Sequence, residues 1–145
     1  MGRIIELLRK KNVRKGQSLL IYDGDCGFCR TSIRRLCAMD PFGALKSVAY
    51  QSYPDEKDLA ALHPALNPAT CQSQMHLLEP NGTLYGGFAA FRRLTLRLPA
   101  LWLLAPLAYF PGMSLLGNPA YRFIAKNRYL FHAAKQCKDN RCFRN

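Results

Sequence analysis

Eight residues constrain this chain more than any others: Tyr22-Asp23-Gly24-Asp25-Cys26-Gly27-Phe28-Cys29, which continue the apolar run Ser18-Leu19-Leu20-Ile21-Tyr22. A short apolar run closed by turn residues suits a buried strand. Asp23-Gly24-Asp25 is a turn signal, and a helix is expected to follow it. In that helix Cys29, Ile33, Leu36 and Cys37 share one face, while Arg30, Arg34 and Arg35 point elsewhere. Pro41 predicts its end near Asp40. The two cysteines thus sit at a strand-to-helix junction with two residues between them.

That placement has a chemical consequence. Free N–H groups and the positive end of the helix dipole at a helix start favour thiolate over thiol, and the thiolate is the nucleophile. Cys26, next to the turn, is expected to be exposed and to attack. Cys29, one turn inward, is expected to resolve the mixed disulfide. Asp23, at the strand end, is the better placed of the two carboxylates to take a proton from the inner thiol. Asp25 reads as a turn residue and helix N-cap. Arg30 adds positive potential beside the pair. Dithiol exchange of this kind needs no bound cofactor and no metal.

The other cysteines are less informative. Cys37 lies eight residues after Cys29, about 12 Å along a helix, beyond disulfide reach, and reads as a core residue. Cys71 falls in an expected loop, Pro64–Ser73, that could approach the pair in a supporting role. Cys137 and Cys142 lie in a polar tail, where they could pair or join Cys26 and Cys29 around zinc. A cysteine-based metal-binding module is therefore an alternative reading. His63, His76 and His132 are scattered, and no Cys–His pairing can be read from them.

Elsewhere the pattern predicts a strand at Leu45–Gln51 and a helix at Asp55–His63 with acidic residues in its first turn. Strands at Gln74–Leu78 and Thr83–Tyr85 are joined through Pro80-Asn81-Gly82, whose Asn-Gly is a hairpin signal. Gly86-Gly87 opens a helix to about Leu98. The order is strand, helix, strand, helix, strand, strand, helix. Residues 1–16 read as a basic amphipathic arm, 17–98 as the core, and 99–145 as a helical extension and basic tail of the same domain. Asn118-Pro119 reads as the N-cap and first residue of a helix reaching Arg128.

Composition narrows the classes. Hydrophobic residues make up 49% of the 145, so a packed core rather than disorder is expected. Lys and Arg number 21 against 9 for Asp and Glu, a formal net charge of +12. Such an excess favours acidic partners. For Arg92-Arg93, Arg122, Lys126 and Arg128 a solvated helix face accounts better than nucleic-acid binding. Leu98–Tyr121 carries no charged side chain, but Pro99, Pro106, Pro111 and Pro119 cut it into pieces. It is read as short buried helices and turns with an exposed apolar patch, not as a span. Together with the basic arm it could dock on an anionic membrane surface. Met1–Gly16 shows no secretory pattern, so a reducing, cytoplasmic setting, peripheral at a membrane, is the expectation.

The stretch Tyr22–Cys29 resembles the opening signature of the DCC family of thiol–disulfide oxidoreductases. The likeness continues through Tyr50-Gln51-Ser52, Glu79-Pro80-Asn81-Gly82, the Gly86-Gly87 helix start and Ala125-Lys126-Asn127-Arg128-Tyr129, covering about Leu19 to Cys137 in order. The resemblance implies an α/β, thioredoxin-like fold, βαβ then ββα, with a helical C-terminal extension. It implies Cys26 and Cys29 as the redox pair, Asp23 as a motif residue, and a protein or small-molecule thiol or disulfide as substrate. Thioredoxin-like proteins usually place a cis-proline just before the third strand; Ser73-Gln74 stands there in this chain.

Overall fold

The computed structural model describes residues 13–53 and 55–127. Most of the expected arm and all of the tail, with His132, Cys137 and Cys142, lie outside them.

Strand β1 is Ser18–Tyr22, and all five of its residues are buried. Burial of a whole strand requires cover on both faces of the sheet. Alternation does the sorting: Leu19 and Ile21 face one apolar cluster, Leu20 and Tyr22 the other. Helix α1, Gly27–Ala38, follows the turn and returns the chain to β2, Leu45–Ala49, which pairs parallel to β1. A 3-10 turn at Tyr50–Ser52 ends that strand before the expected Gln51. Next come α2, Glu56–Leu62, and α3, Pro68–Ser73. Strands β3, His76–Leu78, and β4, Leu84–Gly86, form an antiparallel hairpin, and β3 also runs antiparallel to β1. The sheet order is β2-β1-β3-β4.

Helix α4, Gly87–Arg97, closes the ββα half. One face of the sheet is covered by Ile33 of α1 and by Ala90 and Leu94 of α4. The other face is covered by Leu59 and Leu62 of α2 and by Cys71 of α3. This is a mixed α/β, thioredoxin-like architecture. The extension is a 3-10 segment, Pro99–Leu104, then α5, Ala105–Ala108, and α6, Met113–Asn127.

Three expectations are corrected. Pro64–Ser73 is not all loop, because α3 forms inside it. The Asn67 side chain accepts the Thr70 N–H at 2.8 Å and Thr70 Oγ1 accepts the Asn67 N–H at 3.1 Å, a reciprocal cap. Asn118-Pro119 does not start a helix. Helix α6 begins at Met113 and Pro119 lies within it, leaving it one backbone donor short; Gly117 packs against the Phe88 ring of α4. The pieces between Leu98 and Tyr121 are mostly not buried: Leu101, Ala108 and Gly117 are, whereas Trp102, Leu103, Phe110, Leu115 and Leu116 are exposed. Too few elements pack over them to cover both sides. Among the described residues no single helix is long and apolar enough to cross a membrane.

Candidate active site

The turn between β1 and α1 is built around one carboxylate. Asp23 is 3% exposed, and its Oδ1 accepts the Asp25 N–H at 3.1 Å, the usual contact of an Asp-initiated turn. It also accepts from Nε2 of Gln51 at 2.8 Å. The same Nε2 lies 3.2 Å from Asp25 Oδ2, while Gln51 Oε1 accepts the Gly24 N–H at 3.0 Å. One amide thus holds all three residues of the turn. Gly24 has no room for a side chain: a Cβ there would stand 2.8 Å from Ala49 Cβ and 3.0 Å from Gln51 Oε1. Close approach of the turn to the end of β2 is therefore what requires glycine.

Cys26 is the N-cap of α1. Its Sγ accepts the Cys29 N–H at 3.3 Å, and its C=O accepts the Arg30 N–H at 3.0 Å. A sulfur in this position meets the unsatisfied donors and the positive end of the helix. Two expectations change. Asp25 is a turn residue but not the N-cap, since the cap falls one residue later. Cys26 is not exposed: only 1% of it is accessible, and its sulfur is turned toward the first turn of α1. Cys29 is the half-buried member of the pair, packed beside the apolar cluster under α1. No disulfide joins the pair.

The remaining predicted residues divide by sheet face. Burial raises the Tyr22 hydroxyl above its ordinary value, the Arg30 guanidinium opposes this, and Cys37 and Cys29 add to the rise. Arg30 thus acts on Tyr22, the last residue of β1. Cys37 Sγ lies 3.5 Å from Ser47 Oγ. Cys71 is fully buried in the cluster on the opposite face, with Leu19, Ile21 and Leu59. Burial pushes its thiol up, partly offset by Thr70.

The segment entering β3 is internally paired. The Met75 N–H donates to the Tyr121 hydroxyl of α6 at 3.2 Å, and the Met75 C=O accepts the Gly87 N–H at 3.0 Å. Gly87 has φ +56, and a Cβ on it would meet Gln74 Oε1 at 2.7 Å, so glycine is required twice over. No cis peptide occurs among the described residues.

Gln51 and Tyr121 add to the site residues that the sequence points to. Gln51 stands in the stretch that resembles the DCC signature, which was the available signal; nothing local marks Tyr121. Among the described residues no group of His, Cys, Asp or Glu is arranged to hold a metal ion.

A family model described as DCC1-like thiol-disulfide oxidoreductase matches residues 20–133. No curated protein and no solved structure matches the chain. The matched region contains the end of β1, the clamped turn, the cysteine-capped helix and the hairpin. The chain belongs to the DCC1-like thiol–disulfide oxidoreductase family.

Proposed function

We propose that the protein performs dithiol–disulfide exchange through Cys26 and Cys29, with Cys26 attacking. The observation that carries this reading is the Cys26 sulfur capping α1 and accepting the Cys29 N–H at 3.3 Å. The contact holds the sulfur at the start of α1, the position of the nucleophilic cysteine in a Cys-X-X-Cys pair. The Cys26 thiolate attacks one sulfur of a substrate disulfide and expels the other as thiolate, giving a mixed disulfide. Deprotonated Cys29 then attacks Cys26 Sγ and expels the second substrate thiolate. Two electrons pass from the protein dithiol to the substrate, and the two protons end on the substrate thiols. Run backwards, the same steps oxidise a dithiol.

Asp23 fixes the turn that delivers Cys26 and is proposed to accept the Cys29 proton. Arg30 supplies positive potential. Because the Met75 backbone is paired to Tyr121 and Gly87, recognition by strand-like pairing at that segment is disfavoured. A small disulfide, or an exposed one on a folded protein, fits better than an extended peptide.

The experiment is reduction of a small aromatic disulfide, followed by mass mapping of adducts in Cys29→Ser and Cys26→Ser. Adducts on Cys26 in the first variant, and no turnover in the second, support the reading. Adducts only on Cys29, in the second variant, reverse the roles.

A further inference from the structure

We propose that the face formed by the Pro99–Leu104 segment, α5 and α6 docks on an anionic lipid bilayer and lies in its headgroup region. Trp102, Leu103, Phe110, Leu115, Leu116 and Phe123 are 60%, 90%, 66%, 79%, 69% and 66% exposed. A run of side chains this large and this open on one part of a domain marks a contact surface. Two segments of this face, Pro99–Ala108 and Met113–Asn127, together have the length and apolar composition of a span but are bent by 116°. A pair so bent lies along an interface more readily than across a bilayer core, which a straight helix of about 20 apolar residues would traverse.

Charge selects the partner. From Pro80 to Lys138 the sequence contains no Asp or Glu. Glu79 engages Arg93 and Arg97, whereas Arg122 and Lys126 stand exposed on α6 between and beside the apolar residues. Arg92 lies over the Tyr109 ring at 4.4 Å. The acidic residues Glu56 and Asp58 belong to α2, on the other face of the sheet from α4. The described segments of the apolar face therefore carry cations and no carboxylate of their own, and the acidic helix α2 packs on the other side of the sheet. Long cationic side chains can lay their stems on apolar surface and raise their heads to lipid phosphates. A second copy fits this face poorly, because a two-fold contact brings the same cations together with no carboxylate between them.

Trp102 is the sole tryptophan of the chain, so its fluorescence reports on the face directly. Full-length protein is mixed with vesicles of phosphatidylcholine alone or with phosphatidylglycerol added. Sedimentation with the anionic vesicles, a blue shift of Trp102 and quenching by lipids brominated in the upper acyl chain are expected. Binding should weaken with salt. Arg122→Ala with Lys126→Ala should weaken it by about fivefold per cation. Leu103→Glu with Leu116→Glu should weaken it at least roughly tenfold; should that pair fail to fold, Leu103→Ser alone provides the test. Phe42→Glu, at an apolar residue 76% exposed in the turn after α1, should leave it unchanged. Absence of binding to the anionic vesicles, binding to neutral vesicles that is equally strong, or a Trp102 shift that follows protein concentration without lipid would each overturn the proposal. None of these substitutions touches the cysteines, so failure here leaves the exchange reading to its own test.

Discussion

Gln51 donates from Nε2 to Oδ1 of Asp23 at 2.8 Å, across 28 positions of sequence. Its Oε1 accepts the Gly24 N–H. Only this orientation of the amide satisfies both neighbours, because a carboxylate accepts and an N–H donates. The contact ties the end of β2 to the turn that positions Cys26.

Removing the clamp should loosen the turn. Gln51→Leu is expected to lower stability by about 1–2 kcal/mol and to slow exchange. Gln51→Glu should be worse near neutral pH, since it sets a third carboxylate against Asp23 and Asp25, and should partly recover on acidification. Turnover against pH for both variants checks this. Equal loss at every pH would deny the electrostatic part.

Gly24→Ala should impair the same turn from the other side. Its new Cβ meets Ala49 Cβ and the Gln51 amide oxygen, so one of them must move. A lowered thermal midpoint together with a changed rate of Cys26 alkylation is expected; a variant equal to the parent in both would contradict the packing.

Asp23→Asn keeps an acceptor for the Asp25 N–H but cannot take a proton. If Asp23 accepts the Cys29 proton, this variant should form the mixed disulfide normally and resolve it slowly, with the resolution step shifted in its pH profile. Slowing of both steps alike would leave Asp23 with a positioning role only.

Acid should weaken the fold in two stages. Burial holds the His76 imidazole below its ordinary 6.5. The unfolded chain therefore binds this proton first, and stability present above about 6.5 falls as pH drops toward the folded value. The hydrogen bond from Arg93 is the main reason the Glu79 carboxyl lies below its ordinary 4.5, and the Arg93 and Arg97 charges add to it against burial. Its contribution is present above about 4.5 and is lost at still lower pH. Thermal midpoints across pH should show the first stage vanish in His76→Asn. The second should vanish in Glu79→Gln, which is also expected to be destabilised by about 2 kcal/mol at neutral pH.

Tyr121→Phe removes the acceptor of the Met75 N–H. Hydrogen exchange at that amide should accelerate, and stability should fall by about 1 kcal/mol. If the paired backbone is what turns away extended peptides, this variant should also gain activity on peptide disulfides relative to small ones.

The sequence by itself determined the parts governed by neighbours along the chain. β1 ends where Asp23-Gly24-Asp25 turns, α1 ends before Pro41, Asn81-Gly82 makes the hairpin, and Gly87 opens α4. Each rests on a local backbone preference that a few residues are enough to specify. What only the tertiary structure decided depends on partners far away in sequence. Gln51 reaches Asp23, and Tyr121 reaches Met75 across 46 positions. Cys26 is buried although it follows an exposed turn residue. Cys71 belongs to the layer opposite α1. Pro119 lies inside a helix, against its local reading, with Gly117 of that helix packed on Phe88. Apolar residues between Leu98 and Tyr121 signal burial by composition alone, yet burial requires another element to lie over them. The described fold supplies that cover for Leu98 and Leu101 and leaves Leu103 and Leu115 open.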